Sequence, residues 1–236
     1  MKKSGFTLAE VLITLGIIGV VAALTIPSLI AKHQRRALEA AFKKSYANFH
    51  NAFNLTMQDE PVLFDYDNMT NPAPPLAEAI FSKYTKLKNI TAKQGSEFSK
   101  NARTYTKQKA TIPRSTQNFR SPLASFILPD GSAVSISQNS GVTNVFMDTN
   151  GINKGPNAYG HDLFHFRISQ TGVFSARTSE AEGLYDEDGK FLEYAPKTDL
   201  CSKASTSTIN GAACTPFALS DTCPDDPSKT YWECLP

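Results

Sequence analysis

The sequence predicts an α+β protein in which one long N-terminal helix packs across a small antiparallel sheet and a cysteine-bearing tail closes the chain. Three observations predict it. Residues 6–31 are an apolar run with one charge, Glu10. Leu38, Phe42, Ser45, Phe49, Ala52 and Thr56 then recur at alternating spacings of four and three, a helical stripe that continues the same element. From residue 123 the apolar period shortens to two, with turn residues between β-prone runs. The 236 residues are enough for a real core, and a formal net charge of +2 marks no overall polyelectrolyte partner.

As a helix, residues 6–31 span roughly 39 Å at about 1.5 Å per residue. A bilayer core needs about 30 Å, so the first half of the helix is long enough to be transmembrane. A cleaved secretory signal has a shorter apolar core followed by a small-residue cleavage site, whereas this run continues into further helical pattern. Pro27 bends or loosens the helix without ending it. A carboxylate inside a spanning helix costs about 2.5–3.5 kcal/mol, so Glu10 calls for a cation at the same depth. No other residue of the helix qualifies. A new α-amino group would, if the chain were cut between Gly5 and Phe6; it could belong to the same molecule or to a staggered neighbour.

The stretch KKSGFTLAEVLITLGIIGVVAALTIPSLI resembles the leader and anchor of type IV prepilins, shared by type IV pilins and type II secretion pseudopilins. The resemblance covers about residues 1–55 and rests on Lys2 and Lys3, Gly5 before the cut, Phe6 after it, Thr7-Leu8, Glu10 and Pro27. It implies a pilin-like fold and cleavage after Gly5 by a prepilin peptidase, with N-methylation of Phe6. It implies that Glu10 docks the subunit into a helical filament by neutralising a neighbour's amine. The implied partners are other pilin or pseudopilin subunits, the peptidase, an inner-membrane assembly platform and the lipid bilayer. The implied location is a single pass of the cytoplasmic membrane with the globular part outside, and then a filament in the periplasm or at the cell surface. An uncleaved anchor whose Glu10 reaches the headgroups is the plainer alternative. The positive-inside count opposes the implied orientation, since Lys32, Arg35 and Arg36 outnumber Lys2 and Lys3. The leader and the cysteines outweigh it.

The sequence thus divides into a leader (1–5), a transmembrane and assembly helix (6–31), its amphipathic continuation (32–59), a polar basic insertion (60–122), a sheet (123–178) and a cysteine-containing end (179–236). The continuation should stop near Gln58–Asp59, because Pro61 restricts what precedes it. In the insertion, NPAPPLAEAIFSKYTKL reads as a short helix with Pro75 at its start and Leu76, Ile80 and Tyr84 inward. Residues 83–120 hold ten Lys/Arg against one acid, with Tyr84, Phe98, Tyr105 and Phe119 interleaved. That composition suits either a solvated insertion or contact with DNA, as in a DNA-uptake pilin. Residues 180–236 offset it with eleven acids against four lysines.

In the sheet region, LASFILPDGSAVSIS reads as a hairpin turning at Pro129-Asp130-Gly131. TNVFMD and GVFSAR read as strands, and DLFHFRIS places Phe164, Phe166 and Ile168 on one face with His165 and Arg167 on the other. Four antiparallel strands are expected. Cys201, Cys214, Cys223 and Cys234 are all the cysteines and contain no C-x-x-C pair. Zinc knuckles and thioredoxin-like sites are therefore disfavoured, and two disulfides in an oxidising compartment are expected. Sequential pairing, Cys201–Cys214 and Cys223–Cys234, closes two short loops, with a nested pairing as the alternative.

The loop DTNGINKGPNAYGHD offers hard oxygens from Asp148, Asn150, Asn153 and Asp162, the ligand type calcium takes. It lacks EF-hand spacing, and an Asx-rich structural loop is the competing reading. Major pseudopilins bind calcium in a loop beside the sheet, but their ligand pattern is not visible here. His161 and His165 stand about 13 Å apart if extended, too far to share a metal. No nucleophile elbow, zincin helix or phosphate-cradling glycine loop occurs, so a non-enzymatic subunit requiring no cofactor is expected.

Overall fold

In the computed structural model the described residues are 7–59, 73–84, 86–110, 125–139, 142–169, 172–177, 183–185, 191–194 and 200–236. The chain falls into two compact units, Met1–Ala37 and Leu38–Pro236. Helix α1, Leu8–Asp59, runs through both. Its last described residue, Asp59, is where the Pro61 constraint places the stop.

In the first unit α1 carries large apolar side chains all round. Leu8, Leu12, Ile13, Leu15, Ile18, Leu24 and Leu29 are each more than half exposed. Such a surface demands an apolar surrounding, and the helix is long and apolar enough to cross a membrane. Pro27 lies inside it without terminating it. The Thr25 and Ser28 hydroxyls donate to the Val21 and Thr25 carbonyls, keeping their polar groups bonded within the helix.

The second unit is built on an antiparallel sheet of six strands in sequential order: β1 Lys88–Asn89, β2 Ser125–Ile127, β3 Ala133–Asn139, β4 Val142–Asp148, β5 Leu163–Ile168 and β6 Phe174–Ala176. This is wider than the four strands expected. One of the added strands, β1 at the edge, comes from the segment read as insertion. A separate pair, β7 Gly183–Tyr185 and β8 Phe191–Tyr194, follows. The β2–β3 hairpin turns at the anticipated Pro-Asp-Gly. The Asp130 carboxylate holds the turn by accepting from the Ser132 amide and hydroxyl.

Alternation along the strands divides the core in two. Val134, Ile136, Val145, Met147, Phe164, Phe166 and Ile168 join one cluster with Phe42, Phe49 and Phe53 of α1. The Phe42 ring lies 4.4 Å from Phe164, Tyr46 5.6 Å from Phe166, and Phe49 and Phe53 5.3 and 5.4 Å from Phe174. The 4-3 spacing on α1 thus meets the period-2 rows of β5 and β6. Helix α2, Ala73–Ser82, adds Leu76, Ala77, Ile80 and Phe81 to the same cluster, with Phe81 4.0 Å from Phe126.

The opposite face is covered too. Phe146, Ala133 and Leu163 pack with Ile90, Phe98, Ala102, Ala110, Ile152 and Tyr159. Helix α3, Ala92–Asn101, opens with a capping box in which Thr91 and Gln94 satisfy each other's backbone amides. The basic stretch is therefore in part a core layer. The solvated-insertion reading is corrected for residues 86–110, where long cationic side chains outside and apolar ones inside share short elements.

The tail closes the first cluster. Cys201 is joined to Cys214 and Cys223 to Cys234, the sequential connectivity. Helices α4, Thr215–Ser220, and α5, Tyr231–Cys234, follow the turns. Trp232 sits 5.5 Å from Phe42 and 6.2 Å from Phe164. At Gly160, φ is +76° and an added Cβ would lie 2.8 Å from the Tyr231 hydroxyl and 2.9 Å from Cys214, so only glycine fits against the tail.

Phe49→Ala should lower stability by about 3–5 kcal/mol, because it empties a fully buried site between α1 and β6. Leu55→Ala, at a position 49% exposed on the same helix, should change it by less than about 0.5 kcal/mol. Denaturant unfolding of the two proteins side by side in the same detergent checks the contrast.

Candidate functional site

Glu10 occupies the third position of α1, where a carboxylate faces the free amides and the positive end of the helix dipole. Thr7 is its N-cap. The Thr7 amide and hydroxyl both donate to Glu10 Oε2 at 2.8 Å, and the Glu10 amide donates to the Thr7 hydroxyl at 3.3 Å. This reciprocal box joins the two residues that head the apolar run. Glu10 Oε1 takes no hydrogen bond among the described residues, which leaves one oxygen for a partner outside the helix. Gly5 and Phe6 lie outside the described residues.

The β4–β5 loop brings together Asp148, Asn150 and Asp162. Asp148 ends β4, and Asp162 directly precedes β5. Both are fully buried. Asp148 Oδ1 accepts from the Asn150 amide at 3.2 Å and the Gly151 amide at 2.7 Å. Asp162 accepts from the amides of Ala158 and Asn157 at 2.7 and 2.8 Å and from Asn150 Nδ2 at 3.1 Å. Burial pushes the Asp148 carboxyl well up, the neighbouring Asp162 charge pushes it further, and the loop amides oppose both. Burial likewise pushes Asp162 up to about 6 against its hydrogen bonds. Asn153 is exposed and contributes nothing here. Asn157 stands in the loop instead, at φ +51°, a backbone angle that asparagine tolerates better than most residues. Nothing in the sequence marked Asn157 over Asn153.

His165 forms a network that sequence reading missed. It faces the second layer of the core, opposite Phe146 in register and 4.0 Å from its ring. Arg177 donates to Nδ1 at 2.6 Å, so Nε2 carries the proton and donates to Asn144 Oδ1 at 3.0 Å. Burial, and then the charges of Arg177 and Arg167, hold its pKa well below the usual histidine range. Thr215 ties this strand to α4, accepting from the His165 amide and donating to its carbonyl. His165 is a neutral structural hub. His161 is likewise committed, with Nε2 2.8 Å from the Tyr105 carbonyl.

Two other candidates fall to the geometry. Ligand atoms of Cys223, Asp225 and Cys234 lie close together, but both sulfurs are spent in a disulfide. Of the aromatics interleaved with the basic stretch, Phe98 and Tyr105 are core residues and Tyr84 is half-buried, so these three make no exposed stacking platform. Phe119 lies outside the described residues.

These features define the class: a membrane-anchored α+β chain of pilin-like architecture, with a capped glutamate heading its apolar helix and a disulfide-closed domain. Residues 1–26 match the family described as the prokaryotic N-terminal methylation motif. No curated protein and no solved structure matches the chain. The motif is the type IV prepilin signal; it implies prepilin-peptidase processing and other pilin-type subunits as partners, and it points to a structural protein.

The disulfides close loops of 13 and 11 residues, each contributing about 2–3 kcal/mol by chain entropy. Peptide mapping without reductant, on protein isolated from cells with thiols blocked, should return a Cys201–Cys214 and a Cys223–Cys234 peptide. Four alkylated cysteines would contradict the pairing and place the domain in a reducing compartment.

Proposed function

We propose that the protein is a pilin or pseudopilin. In this reading it is stored in the membrane, matured to an N-methylated Phe6, and polymerised through α1 into a type IV pilus or type II secretion pseudopilus. The observation that carries this reading is the Thr7–Glu10 box at the head of the exposed apolar half of α1. The box holds one carboxylate oxygen within the helix and leaves the other available. In lipid an unneutralised carboxylate is costly, and a neighbouring subunit's N-terminal amine at the same depth meets that cost. The globular domain forms the outer surface of the filament and needs no catalytic centre for this work. The alternative of a DNA-uptake minor pilin keeps exposed cations at Lys86, Lys88, Lys93, Lys100, Arg103, Lys107 and Lys109, but two of its stacking residues, Phe98 and Tyr105, are in the core.

Removal of residues 1–5 deletes two lysines and leaves 22 basic and 22 acidic residues, a formally neutral mature chain. Intact-mass analysis of membrane-extracted protein should show that loss plus one methyl group. Glu10→Ala should leave cleavage intact and lower incorporation into sheared filaments by at least about tenfold, given the size of a paired charge within lipid. Filament yield against a membrane-fraction blot decides it. Normal incorporation of the variant would refute the docking role.

A further inference from the structure

The β4–β5 loop holds more buried oxygen than its own chain can satisfy. Asp148 Oδ2, Asn150 Oδ1 and Asn157 Oδ1 are buried and have no hydrogen-bond partner. Two of the three belong to the residues that already surround Asp162: Asn150 through Nδ2 and Asn157 through its amide. The third is on the carboxylate of Asp148, on which the Asp162 charge acts. Among the described residues, neither Asp148 nor Asp162 forms an ion pair with a lysine, arginine or histidine. Buried acceptors are almost always satisfied and buried charges almost always paired. Thr149 Oγ1, a hydroxyl that can donate as well as accept, is also unpartnered in this loop; the other three atoms are oxygen acceptors around two carboxylates.

We propose that this loop is a binding site for one hard divalent cation of the calcium class, held by side-chain oxygens of Asp148, Asn150, Asn157 and Asp162. Two carboxylates and two amide oxygens are ligands that calcium accepts in irregular geometry, with water or backbone oxygens completing the shell. Softer metals are poorly served. Both nearby histidines are engaged elsewhere, and all four cysteines are in disulfides. The set replaces Asn153 of the sequence reading with Asn157.

The ion would tie together three parts of the domain. The Thr149 carbonyl accepts from Ser45 of α1 at 3.2 Å, and the Thr149 amide donates to the Asp162 carbonyl at 2.8 Å. Gly151, at φ +94°, lies so close to the Gly131 carbonyl that a Cβ would collide with it, which fixes the loop against the β2–β3 turn. Neutralising the two aspartates therefore secures the loop, the adjoining turn and the α1 contact together. The inference does not depend on filament assembly, since its test reads binding and stability of the subunit.

The test uses the full chain in detergent, stripped with chelator and dialysed. Equilibrium dialysis with radioactive calcium should show one ion per chain. At a hundredfold excess over Kd, calcium should raise the melting temperature by about 5–10 °C, and chelator should reverse it. The shift should shrink at acid pH, because protons compete for the carboxylates and binding releases them. Asp162→Asn should abolish both binding and shift, and Asn153→Ala should leave both unchanged. If Asp162→Asn does not fold, Asn157→Asp supplies the test: it adds a carboxylate at a tolerated backbone angle and should tighten binding about tenfold. No bound calcium at about 1 mM in the wild-type chain overturns the site. So does unchanged calcium binding in a folded Asp162→Asn protein, or an Asn157→Asp protein whose affinity does not rise.

Discussion

The domain depends on one contact: the aromatic stripe of α1 laid on β5 and β6. A strand pair with one apolar face is not stable alone in water, and a helix with one apolar stripe is only marginally so. Phe42, Phe49 and Phe53 meet Phe164, Phe166 and Phe174 because the 3.6-residue period of the helix and the two-residue period of the strands present continuous rows. Everything else in the domain extends or encloses that contact. Helix α2 widens it over β2 and β3, and Trp232 and Leu235 of the tail seal it. The disulfides limit the freedom of a tail that otherwise contributes only short helices, too short to hold themselves.

The second face of the sheet follows a different logic. Its cover is made of short pieces: α3, the turn through residues 102–110 and the β4–β5 loop. None has the length for a strong amphipathic signal. They are held by specific bonds instead, such as the Arg103 amide to the Asn157 carbonyl at 2.8 Å and the Tyr159 amide to the Arg103 carbonyl at 2.9 Å. These bonds also position the aspartate loop, since the segment containing Asn157 and Ala158 is the one whose amides reach Asp162. The layer read as an insertion is thus what shapes the candidate cation site.

How far the sequence discloses this depends on the range of the interaction. The apolar run with Glu10, the 4-3 stripe, the Pro-Asp-Gly hairpin and the alternation of β5 are all local or periodic, and each is legible. Phe53 is less so, because it lies beside the stripe and not on it. The role of His165 is hidden, since Thr215, which bonds its backbone, is fifty residues away and Arg177 lies beyond a turn. A polar residue on an alternating strand reads as solvent-facing until something unforeseen covers it. Asn153 and Asn157 were equivalent by composition; only the closed loop separates the exposed one from the one turned into the site. The same holds for Phe98 and Tyr105, whose cationic neighbours masked their burial.

Glu10 and the Asp148–Asp162 pair pose a common electrostatic problem. Each is a carboxylate removed from bulk water, Glu10 by lipid and the aspartates by protein. Each is partly satisfied by nearby amides and hydroxyls, which supply oriented dipoles but no net charge. Dipoles can hold a carboxylate in place, yet they do not cancel it, and the remaining cost scales with the low dielectric around it. The chain supplies a cation elsewhere without difficulty: Lys83 reaches Asp59 at 2.7 Å, and Lys43 and Lys229 pair with acids within their own turns. Those pairs are at the surface, where they matter least. At the positions where neutralisation matters most, the counter-charge is left to come from outside the chain. For Glu10 the proposed source is another subunit's amine, which makes charge balance a condition of assembly. For the aspartates it is a mobile ion, which makes charge balance a condition of the medium. Under the two proposals, such a subunit is most stable in a filament and in a calcium-containing medium.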